Sequence, residues 1–340
     1  MTADHPTRLE LEEIGGPSAV GGGTRRFFDL LRLTSVTEFK LSYHGTVLGF
    51  LWSFARPLML FAILLLVFTQ VFRLGSEVEN YAPLLLLNIL LFQFFAQATE
   101  QAATSVVRSE SVVRKMQFPR LVIPLSVVAT NVLQLGFSLI VIFAFLIIYG
   151  VQPVWTWILF PAAIAALIVL TTAVAMLLSV IFVRVRDVNI IWSVSTTALF
   201  YACPILYPIE FAPEGFRDAI MLNPLTPLFL QIREWVIDPN APGAIEATSG
   251  NPSLLLISVL IGISICIAAP LVFAGAPRGS PRSFELERAG RPGRDHRRVS
   301  LRRDAARLPA VAARAPTGSA DDGARRRQRL RRRHGRDGRA

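Results

Sequence analysis

Six stretches of the chain are nearly unbroken runs of apolar residues, at 51–72, 82–103, 121–149, 153–183, 188–207 and 253–274. A helix needs roughly 20 such residues to cross a bilayer, so the pattern predicts an all-α integral membrane protein with six transmembrane helices. The stretches at 121–149 and 153–183 exceed that length, which predicts tilt or helix projecting into water. Arg56 and Pro57 interrupt the first stretch, which predicts a separate turn or a kink at its cytoplasmic end. Trp155 and Trp157 fall where an interfacial aromatic belt places such rings.

The connections are patterned as well. Over residues 24–41, Phe27, Phe28 and Phe39 are interspersed with Arg25, Arg26, Arg32 and Lys40. This makeup predicts an amphipathic interfacial helix on the cytoplasmic face, its cations toward anionic headgroups of the membrane lipid; a short soluble helix packed on the loops is the other reading. Gly45 and Gly49, four apart before the first span, allow close helix approach or ease a turn. Residues 109–118 read as a cytoplasmic helix, with Ser109 or Ser111 able to cap its start and Pro119 ending it. Val112, Val113 and Met116 form an apolar face there, with Phe118 at its edge and Arg114, Lys115 and Arg120 around it. Such a face suits docking into a groove; an ordinary basic loop would explain the charges alone. The connection at 208–252 carries apolar pieces on either side of Asn223, Pro224 and Pro227. It predicts two short re-entrant-type outer helices, broken at those prolines and packed on the spans, because irregular backbone at membrane depth needs protein around it.

Charge sets the orientation. Arg8, Arg25, Arg26, Arg32, Lys40, Arg56, Arg108, Arg114, Lys115, Arg120, Arg184 and Arg186 lie on one side of the six spans, against Arg73, Arg217 and Arg233 on the other. Positive charge stays inside, so both termini are predicted cytoplasmic. The net charge of +11 belongs wholly to residues 277–340, where 20 arginines and no lysine stand among Ala, Gly and Pro. Segments 1–23 and 276–340 cannot supply a packed core; the first is predicted disordered, the second a disordered basic tail or a frame-shifted end. The body therefore carries no nucleic-acid signature. Residues 1–23 lack the basic start and apolar run of a signal peptide, so insertion is expected to rely on the first span.

The chemistry that is missing narrows the class. No phosphate-binding loop of the Gly-x-x-x-x-Gly-Lys type occurs, and neither Lys40 nor Lys115 follows a glycine. Cys203 and Cys266 sit in apolar runs, and the four histidines lie outside the spans, so no metal site or catalytic constellation is predicted. Ionisable residues inside the membrane, which drive ion-coupled transport, are limited to Arg56 and Glu100 near cytoplasmic ends. A passage energised from elsewhere remains.

Several segments resemble type-2 ABC exporter permeases, nearest the branch that exports O-antigen, teichoic acid and related cell-envelope polysaccharides. They are Phe39-Lys40-Leu41-Ser42-Tyr43-His44-Gly45 running on to Trp52 and Pro57-Leu58; Ser111 to Arg120 followed by Ile123-Pro124-Leu125; Arg186-Asp187-Val188; Pro204-Ile205-Leu206-Tyr207-Pro208; and Asn223-Pro224-Leu225-Thr226-Pro227. They occur in the family's order across residues 24–275. The resemblance implies a homodimer in the bacterial plasma (inner) membrane. It also implies two copies of a separate ATP-binding-cassette subunit that holds ATP and Mg, a coupling role for Ser111–Arg120, and a lipid-linked glycan as substrate. This chain itself is expected to hold no cofactor and to be no enzyme. A drug or small-lipid exporter of the same architecture, or a membrane enzyme or scaffold of envelope synthesis, are the other functions weighed. Asn189, Ser193, Thr196 and Phe200, with Thr197 and Tyr201 beside them, form a stripe along the fifth span. They could line a glycan passage, or could hydrogen-bond across helices as such residues do in many bundles.

Overall fold

The computed structural model describes residues 24–43, 49–109, 121–248 and 252–275, and every regular element among them is helical. The predicted coupling segment Ser111, Val112, Val113, Arg114, Lys115, Met116, Phe118, Pro119 and Arg120, Gly45, and the terminal segments 1–23 and 276–340 lie outside the described residues. The chain enters as α1 (Thr24–Tyr43), followed by α2 (Gly49–Leu66), whose last turns pass into a π-helical stretch at Val67–Val71. A one-turn α3 (Leu74–Glu77) leads to α4 (Tyr81–Arg108), then α5 (Val122–Ile148). A 3-10 turn at Trp155–Leu159 opens into α6 (Phe160–Arg184), and α7 (Val188–Ala202) follows. Two short helices, α8 (Glu214–Met221) and α9 (Leu225–Val236), precede α10 (Pro252–Gly275).

Five of these helical segments are long and apolar enough to cross a membrane: Phe54–Val71, Tyr81–Arg108, Val122–Ile148, Trp155–Arg184 and Pro252–Gly275. α4 is the axis of the bundle. Its most apolar window is 83% buried against 11% for α10, because α2, α5, α6 and α7 all pack on it while α10 touches chiefly α6. α2 runs unbroken through Pro57, so the turn expected there does not separate its cytoplasmic end from the span. The ring removes only one intrahelical donor.

The segment expected as a fifth span is a helix of 15 residues. It stops at Ala202 because Pro204 pushes Cys203 out of helical geometry, and Cys203 is extended (φ −72°, ψ 153°). The chain from Cys203 to Leu206 is nonetheless buried. Its carbonyls find partners on α4: the Tyr81 hydroxyl donates to Leu206 O at 2.7 Å, and Asn88 Nδ2 to Pro204 O and Ile205 O at 3.3 and 3.4 Å. Non-helical backbone is tolerated at such depth only where protein supplies these bonds.

The outer helices form as a pair but break at one place. Asn223 accepts from Leu225 N at 3.1 Å and donates to Cys203 Sγ at 3.0 Å, fixing the corner between α8 and α9. Pro224 caps α9, whereas Pro227 lies inside its first turn, where a missing N–H costs nothing; the break expected at Pro227 is absent. α9 is pinned from outside by Thr156 Oγ1 to Trp235 O (2.6 Å) and Trp157 Nε1 to Val236 O (3.1 Å). Trp157 is thus half-buried while Trp155 is exposed. Buried Arg233 on α9 donates to both carboxylate oxygens of Glu210, at 2.9 and 3.0 Å.

α1 docks one face on α5. Ser35 is buried, its carbonyl accepting from Thr130 Oγ1 at 3.2 Å, and Phe39 stacks on Phe137 with centroids 5.9 Å apart. Arg25, Phe28, Arg32 and Lys40 are exposed and Phe27 is half-buried; Arg26 lies in the same helix.

A polar cavity inside the apolar bundle

On α4, Gln93, Gln97, Glu100, Gln101 and Thr104 recur at spacings of three and four, which aligns them on one helical face. α5 answers with Thr130, Asn131, Gln134 and Ser138 at the same periodicity. Between the two helices lies a cavity of about 590 Å³, bordered also by Trp52, Arg56 and Pro57 of α2, Ser42 of α1 and Asn189 of α7. A narrower pocket shares Gln97, Asn131 and Gln134 with it and reaches Gln93 and Ser138.

The lining is held in place by its own carboxamides. Asn131 Nδ2 donates to Gln101 Oε1 at 3.1 Å and to Val127 O at 2.8 Å, and Gln97 Nε2 donates to Gln93 Oε1 at 3.2 Å. The buried Oδ1 of Asn189 has no hydrogen-bond partner among the described residues. Beside the cavity, Glu38 of α1 faces Thr130 and Ser126. Burial raises its carboxyl above the ordinary carboxylate range, against the opposing pull of those hydroxyls and of Arg108. Arg56 and Glu100 are the charged groups of the lining. Carboxamides and hydroxyls both donate and accept, so the cavity can satisfy a hydroxyl-rich, uncharged guest with little preference for the direction of each bond.

The stripe predicted on the fifth span is divided. Asn189 enters the cavity. Thr196 is buried and returns its hydroxyl to Ser193 O at 3.0 Å, and Phe200 packs on Phe92 with centroids 5.4 Å apart. Ser193, Thr197 and Tyr201 instead line a shallow groove of about 360 Å³ on the outer side of α7. The α4 and α5 stripes were overlooked by sequence reasoning; five polar residues in register on an otherwise apolar helix are the signal that marks them.

Residues 30–235, from α1 to the last turn of α9, match the family described as ABC-2 type transporter. The chain belongs to the ABC-2 type transporter family. Within this ABC-2 chain the match covers every residue that lines the cavity. The chain is 32% identical over 208 residues to the O-antigen export system permease protein RfbA of Klebsiella pneumoniae, covering 61% of this chain and 80% of that protein. It is 30% identical over 209 residues to the protein of the same name from Myxococcus xanthus, with the same shares covered. The expected family is therefore the one found, and this ABC-2 protein is a multi-pass membrane protein.

Proposed function

We propose that the chain is the membrane-spanning permease subunit of an ATP-driven exporter of lipid-linked polysaccharide or cell-envelope glycan. The observation that carries this reading is the cavity lined by carboxamides and hydroxyls inside an apolar bundle. Its chemistry suits sugar hydroxyls, and the similar permeases are named for O-antigen export.

α7 completes a six-span topology. Its 15 residues reach about 22 Å at 1.5 Å each, and residues 203–208, buried except for half-buried Tyr207, need add only about 8 Å to match a core of roughly 30 Å. The arginine asymmetry puts both termini in the cytoplasm and α1 on the cytoplasmic face of the bacterial plasma membrane. A second copy of the chain completes a homodimer. ATP and Mg belong to two ATP-binding-cassette subunits that dock on residues 109–118.

The test is transport by sealed vesicles containing this chain and a cassette subunit, supplied with lipid-linked glycan. ATP should drive glycan to the opposite face only when both subunits are present. Export without the chain, or none with both, would overturn the reading.

A further inference from the structure

α7 stands between two spaces: Asn189 faces the polar cavity between α4 and α5, and Ser193, Thr197 and Tyr201 face the shallower groove. α7 packs on α4 at its far end through Phe200 against Phe92, centroids 5.4 Å apart, and nearer the cavity through Trp192. The hydroxyls of Ser195, Thr196 and Thr197 return to backbone carbonyls of α7 itself at 2.8–3.0 Å, so among the described residues these bonds tie it to no other helix. Across to α4 runs a side-chain bond from Trp192 Nε1 to Thr99 Oγ1 at 2.9 Å. Thr99 is fully buried and donates its own proton to Phe95 O at 2.8 Å, which leaves a lone pair directed at the indole. The Trp192 ring also meets Phe95 edge-on, centroids 6.2 Å apart.

We infer that the Trp192–Thr99 bond is a latch that positions α7 against α4, and that its opening joins the cavity to the groove. Trp192 follows Asn189 by three residues, so it stands one helical turn away on neighbouring faces and sets where the Asn189 oxygen, unpartnered among the described residues, points. Trp192 and Thr99 are positioning residues; the groups that meet the substrate are those of the cavity lining. The substrate side of this inference rests on the glycan-export reading, but the latch itself does not.

The reporter is Thr196→Cys, buried behind the latch, in full-length protein with Cys203→Ala and Cys266→Ala, reconstituted in vesicles and treated with a maleimide. Trp192→Phe deletes the N–H and the five-membered half of the indole, and keeps one aromatic ring. It should speed labelling about fivefold, the effect of losing about 1 kcal/mol of net hydrogen bond. Thr99→Val should do the same, the double variant should do no more than either alone, and Thr99→Ser should restore the parent rate. Labelling within twofold of the parent in both single variants, or a double variant equal to their product, overturns the latch. If labelling responds but no vesicle exports glycan, the latch stands and the export reading fails.

Discussion

Replacing Tyr81 with Phe would remove one hydroxyl and leave the ring in place. Tyr81 is 4% exposed and Leu206 3%, and the 2.7 Å bond between them is the shortest that ties the non-helical segment after α7 to α4. Phe fills the same volume and keeps the contact with Phe68, whose centroid lies 6.5 Å away, so no cavity term arises. The loss is that of a buried carbonyl left unpaired, about 1–3 kcal/mol. Asn88→Leu removes a single amide donor shared between two longer contacts and should cost about 1 kcal/mol. The assay is provided by the protein itself, because Cys203 lies in the segment and is fully buried. In a Cys266→Ala background, maleimide labelling of Cys203 should accelerate roughly five- to a hundredfold in Tyr81→Phe, as local opening becomes easier. It should accelerate less in Asn88→Leu. Labelling as slow as in the parent, with an unchanged melting midpoint in detergent, would show that α4 does not hold this segment.

The ion pair of the outer helices should respond asymmetrically. Glu210→Leu leaves the buried Arg233 guanidinium uncompensated and should cost about 2–4 kcal/mol, whereas Arg233→Met leaves a half-exposed carboxylate that water can reach and should cost about 1 kcal/mol or less; chemical denaturation in detergent separates them. Cysteines placed in 76–80 and in 239–250 should react only from outside, and those in 109–114 only from inside; reaction of both ends of α4 from one side would refute the orientation. Val113→Asp with Met116→Asp should leave insertion intact but strip the cassette subunit in a pull-down, because docking would then bury unpaired charge.

The long spans were legible because hydrophobic length is a direct consequence of bilayer thickness. α2, α4, α5, α6 and α10 lie where the apolar runs are, with α4 continuing to Arg108 rather than stopping near Ala103. The shortness of α7 was also encoded, in Pro204, but the rescue of its unwound end depends on Tyr81 and Asn88, more than a hundred residues away. Local pattern cannot show such a pairing. Of the stripe on the fifth span, Asn189 alone lines the larger cavity; its other members divide between packing and a shallow groove. Each polar stripe was readable along its own helix, but that the two face each other across one cavity depends on the packing of α4 on α5. At Pro227 the reading failed because a proline in the first turn of a helix looks, in sequence, like one that ends it.

The central claim is that the carboxamide-lined cavity is part of the glycan path. The most direct test compares ATP-driven export of lipid-linked glycan by the parent and by Gln97→Leu with Gln134→Leu, each assembled with its cassette subunit in sealed vesicles. Leu keeps approximate size but cannot replace the bonds that the two amides offer from facing helices. The account predicts export reduced at least about tenfold, equivalent to about 1.4 kcal/mol at the rate-limiting step, with subunit assembly retained. Export at the parental rate from fully assembled complexes would contradict it.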